Sequence, residues 1–177
     1  MVPDTRMRLS AVTKALNDII APALSKDKKY ALEQLALIQK SIALIQDQII
    51  HEYSFLIRDA MDYIELANAI INLLPVNDSI RENLHQEKTK LEQQLPKQIP
   101  DRETDENNIR LFKSYMEETV EKLMSNTELS NYQQLFDVIL SHSEKQTTRD
   151  RAWTLATGFD PAPQTLPSIR GSVYDKN

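Results

Sequence analysis

Residues 46 to 65, QDQIIHEYSFLIRDAMDYIE, gather a histidine, an arginine, two tyrosines and five carboxylates in one stretch of helical composition. Asp47 stands four residues before His51, and Arg58 four before Asp62. At that spacing a carboxylate can orient an imidazole for proton transfer, or pair with a guanidinium on one helical face. Acid–base work also needs a cleft that excludes water, so the directions in which these side chains point decide between catalysis and a solvated surface.

Metal chemistry has two candidate patterns. Helical di-metal sites use Glu-x-x-His pairs on two helices, and the chain has one such pair, Glu82 with His85. His142 has no acid three residues before it. A three-histidine site from His51, His85 and His142 would need three separate helices to converge, and each of these residues lies among polar neighbours. No catalytic residue, metal ligand or cofactor is expected. Cysteine is absent, and the two glycines, Gly158 and Gly171, both lie near the C-terminal end. There is thus no thiolate ligand, and the main body has no glycine-rich turn to cradle a phosphate or expose a nucleophilic serine.

The elements that must position these groups are helices. Leu, Ile, Ala, Gln, Glu and Lys dominate, and 41% apolar with 27% charged residues suits a globular chain. Leu9, Val12, Leu16, Ile19 and Ile20 predict a first helix from Thr5 to about Ala21, kinked or ended by Pro22. Residues 25 to 74 hold no proline or glycine, which predicts one central helix of about 50 residues, roughly 75 Å if unbroken. A third helix is expected from Ser79 to about Leu95, with Ser79 and Glu82 at capping-box spacing and a thin apolar stripe of Ile80, Leu84, Leu91 and Leu95. The stretch from Pro96 through DRETDENN reads as a linker, and Ile109, Phe112, Met116, Val120 and Leu123 as a fourth helix. Tyr132, Leu135, Phe136, Ile139 and Leu140 begin a fifth, with Gly158 as a stop. The expected fold is all-α: an antiparallel bundle of about five helices built on one long central helix. It forms a single domain over residues 1–158, followed by an extended or disordered proline-containing tail over 159–177.

On a wheel of the central helix with Asp47 at zero, the apolar residues of the opening stretch fall between roughly 160° and 320°. The charged ones, including Asp47, His51, Arg58 and Asp62, fall between roughly −20° and 140°. Tyr30, Leu37, Leu44, Phe55, Leu66 and Leu73 run through the middle of that polar arc as a second, narrow seam at spacings of seven and eleven. These six are the candidate interface, flanked by the charges Asp47, His51, Arg58 and Asp62.

The leading reading is a non-enzymatic helical-bundle protein acting through protein–protein interaction, as a homodimer or a subunit of a small complex. The alternative is a bundle that binds a small apolar or aromatic ligand between its helices, with Tyr53, Met61 and Tyr63 lining the pocket. The net charge of −5 and the lack of a basic face argue against nucleic acid. No apolar run approaches the roughly 18 residues a bilayer span needs, so no membrane role and a cytoplasmic location are expected.

Overall fold

The structure, a computed structural model, describes residues 4–95, 101–127 and 129–175. Every regular element among them is helical. By their contacts the residues form two compact units, one of residues up to Glu52 together with those from Thr148 onward, the other of Tyr53–Thr147.

The first unit opens with α1, Thr5–Ala15, whose Asp4 carboxylate accepts from the Met7 amide at 2.8 Å. The helix widens into a π-turn over Leu16–Ile20 and ends in the single turn α2, Ala21–Ala23. The wide turn falls just before Pro22, whose ring would clash with the Asp18 carbonyl in regular α-helix. After a turn comes α3, Lys29–Gln48, antiparallel to α1. Gln39 donates to Asn17 (2.6 Å) and Gln46 to Ser10 (3.1 Å), so numbering rises along one helix as it falls along the other.

Instead of one helix over 25–74, α3 stops at Gln48 and α4, Glu52–Leu73, begins after a turn. The Ile49 amide still reaches the Ile45 carbonyl, but the His51 amide bonds three residues back, to Gln48, at 2.8 Å. No proline or glycine marks the place. Two successive β-branched residues, Ile49 and Ile50, precede His51 there.

The second unit is built from α4, α5 (Ser79–Gln94), α6 (Arg102–Met124) and most of α7 (Tyr132–Trp153). They share one core of Tyr63, Leu66, Ile70, Leu84, Leu91, Ile109, Phe112, Met116 and Leu135, among others. The thin stripe of α5 is sufficient for this, since Leu84 and Leu91 are fully or almost fully buried. Its cap is Asp78, which accepts from the Ile80 amide at 2.7 Å, and not the Ser79–Glu82 pair. Asp78 wins because it precedes the first helical residue, whereas Ser79 is already helical. Glu82 accepts from Gln86 instead. DRETDENN is helix from Arg102 onward, since Asp101 caps α6 through Thr104. The rest of the expected linker, residues 96–100, lies outside the described residues.

α7 runs to Trp153 and is followed by a 3-10 turn, Leu155–Thr157, closed by Gly158 in the left-handed region at φ 76°. Residues 159 onward are not simply extended. Asp160 takes both Arg151 nitrogens (2.8 and 2.9 Å) and the Ala162 amide, and a 3-10 turn forms at Pro163–Thr165. A short helix α8, Ile169–Tyr174, follows, with Ser172 and Val173 buried. The prolines hid this because they break periodicity without preventing local packing.

Replacing Ile70 or Leu135, both wholly buried, with alanine should lower the unfolding free energy by about 2–5 kcal/mol. Met61→Ala, on the exposed side of α4, should change it by no more than about 0.5 kcal/mol. Equilibrium urea denaturation of the three variants checks this.

Candidate functional site

The polar residues of the opening stretch are divided between the two units. In the second unit, Asp59 of α4 accepts from Lys113 of α6 and from Gln146 of α7, both at 2.8 Å. The Tyr63 hydroxyl donates to the other end of Gln146 at 3.4 Å, and Lys113 lies 5.0 Å from the centre of the Tyr63 ring. His142 meets the same ring edge-on, with centroids 4.7 Å apart. Asp59, Lys113, Gln146 and the Tyr63 hydroxyl thus bond across partly buried faces of α4, α6 and α7, and the network ties the three helices together. Burial pushes the Tyr63 hydroxyl above the usual phenol range.

Asp62, expected on a water-facing arc, is 3% exposed and pairs with Arg58 at 3.2 Å. The reason is a rotation of the buried face. Asp62, Leu66, Ile70, Tyr63, Ala67, Ala60 and Ile71 are all buried, a sector of roughly 60° to 240° on the wheel rather than 160° to 320°. Two members of the seam go with it: Leu66 belongs to the core and Leu73 packs against it, while Phe55 is half-buried.

The proposed ligand-lining residues all lie in the second unit, in different surroundings. Met61 is exposed and Tyr63 is engaged in the Asp59 network. Tyr53 donates to the buried Asp105 carboxylate at 2.7 Å, and that hydrogen bond, aided by burial and the carboxylate charge, pushes its hydroxyl up to about 12. Both hydroxyls have protein partners, so neither needs a ligand to satisfy it.

In the first unit, His51 Nδ1 lies 3.3 Å from the Tyr174 hydroxyl, the two rings meeting edge-on. Beside them is a cleft of about 410 Å³, lined by Arg6, Asp47, His51, Leu155 and Arg170 among others. It mixes charges of both signs, and its serine, Ser168, caps α8 by accepting from the Gly171 amide at 3.0 Å. Trp153 is half-buried, and its carbonyl accepts from Gln48 at 2.8 Å. No cluster among the described residues could hold a metal ion, and no described helix is long and apolar enough to cross a membrane.

The first half of the seam behaves differently from the second. Tyr30 is 74% exposed and Leu37 51%, while Leu44 is intermediate. Beside them Ile38 (49%) and Ile45 (44%), which the seam did not include, are also exposed. Leu35 and Ile42 are the only buried residues of α3, and α1 has none. The exposed sector of α3 from Leu44 round to Ile38 spans roughly 60° to 180° and contains Leu, Ile, Tyr, Ser and Gln but no charge. The signal was available in the sequence as this charge-free sector, which is wider than a single line of apolar residues.

Comparison of the chain with protein-family models, with curated proteins and with solved structures gives no match in any of the three.

Burial holds the His142 imidazole below the ordinary histidine range; Asp59 and Glu65 oppose that shift, and Lys113 and Lys145 add to it. The folded chain therefore binds this proton less tightly than the unfolded chain. The full stability is present above the ordinary value of 6.5 and is lost as pH falls below it. The melting temperature should drop between about pH 7.5 and pH 5.5, and His142→Gln should flatten that slope in a calorimetric pH series.

Proposed function

We propose that this is a non-enzymatic helical protein that works by protein–protein association through the exposed face of α3. The observation that carries this reading is the uncharged sector on which Tyr30, Leu37, Ile38 and Ile45 stand in water. A charge-free strip of large apolar side chains along a whole helix costs free energy when solvated and matches the composition of interface centres, which are depleted of charge. Catalysis has less support, because Asp59 and Tyr63 of α4 are engaged by Lys113 and Gln146, and His51 stands against Tyr174. Of the flanking charges, Asp47 borders the α3 face, whereas Arg58 and Asp62 are committed to each other.

Leu37→Asp combined with Ile45→Asp should abolish association while helicity by circular dichroism is unchanged. Light scattering should then give the 20.4 kDa mass of one chain, and proteins that co-purify with the wild type should be lost. Met61→Asp, exposed on α4, should leave both readouts as in the wild type. A wild-type chain at monomer mass with no co-purifying protein, or associations indifferent to the α3 changes, would overturn the reading.

A further inference from the structure

The partner for this face can be argued from the charges along its edge. Lys29, Glu33, Lys40 and Asp47 are all exposed and fall together on the wheel, between roughly 0° and 40°, immediately beside the uncharged sector. Their signs alternate along the helix: positive, negative, positive, negative. An alternating edge of this kind is suited to meeting the same edge running in the opposite direction.

We infer that the occupant of the α3 face is a second copy of this chain, with the two α3 helices antiparallel and a two-fold axis at Leu37. The inference rests on the interaction reading above. Tyr30 and Leu44 each lie seven residues from Leu37. About that centre Leu37 meets the partner copy's Leu37, and Tyr30 meets its Leu44. A two-fold axis normal to the plane of the helix pair brings each edge against the same edge of the other copy, as in antiparallel coiled coils. Lys29 then faces Asp47, and Glu33 faces Lys40, each within two residues of perfect register. Long side chains span that difference. Every facing pair along the charged edge is of opposite sign, and each occurs twice by symmetry.

Parallel pairing fails the same test. It would place the charged edge against the opposite edge of the other copy, where Ile38 and Ile45 stand. Lys40 and Asp47 would lose water without gaining a counter-charge. Antiparallel self-pairing also explains why the sector carries Ser41, Gln34 and Gln48 between its apolar residues. These uncharged side chains can sit against a close neighbour without repulsion, whichever copy they face.

The chain has no cysteine, so single cysteines report the register directly. Under mild oxidation Leu37→Cys should convert most of the full-length chain into a reducible dimer. Tyr30→Cys and Leu44→Cys should each stay monomeric in denaturing gels when alone and cross-link when mixed. Parallel pairing would instead cross-link each of those two by itself. Lys40→Glu sets like charges against each other twice and should raise the dissociation constant about tenfold in sedimentation equilibrium. Adding Glu33→Lys to it should restore the wild-type value. Association that persists without these cross-links, or is indifferent to the charge swap, overturns the antiparallel register and leaves the interaction reading standing. A chain that is monomeric throughout overturns self-pairing, and the co-purification result then decides the broader reading by itself.

Discussion

One carboxylate ties together three helices of the second unit. Asp59 lies where α4, α6 and α7 meet and accepts from both Lys113 and Gln146. A carboxylate removed from water must find donors or lose more free energy than a neighbouring side chain contributes by packing. Its two donors come from different helices, so satisfying it sets the rotation of all three. That rotation places Tyr63 under Lys113 and beside His142, and it turns Asp62 and Leu66 inward. Of the side chains that first suggested catalysis, Arg58 and Asp62 pair within α4 and His51 stands against Tyr174 in the first unit.

The first unit poses the opposite problem. Its α1–α3 hairpin is held by polar contacts such as Gln39–Asn17 and buries only Leu35 and Ile42 of α3, leaving a long uncharged face in water. Both units carry exposed apolar side chains, but on α3 they stand along one uncharged sector of the helix. The proposed interaction through α3 rests on that sector, and the alternating charges on its edge give the proposed pairing its direction.

Some of this was legible in the sequence, for reasons that differ by residue. Helical periodicity made α1, α5 and the apolar residues of α6 visible, and the seam residues Tyr30, Leu37 and Leu44 were found by their spacing. Leu66 and Leu73 had the same spacing and went into the core. Periodicity states which residues share a side of a helix, but not what lies against that side. Ile38 and Ile45 stand at the edge of the broad apolar arc, and periodicity does not say how far burial of that arc extends. The Asp59 network is not legible in the sequence because the two donors to Asp59, Lys113 and Gln146, lie 54 and 87 residues from it and no local pattern joins them.

By itself the sequence determined that the chain is helical, where most helices lie, and that α3 has a charge-free sector bordered by alternating charges. These follow from backbone hydrogen bonding and side-chain direction, which are local and have a fixed period. Only the tertiary structure decided that the central helix breaks at Ile49 to His51, and that α4 buries a different face from the one expected. It also decided that residues after Gly158 fold into α8, where Val173 is buried. Those outcomes depend on contacts between residues far apart in the chain, and burial is set by neighbours that spacing along the chain does not specify.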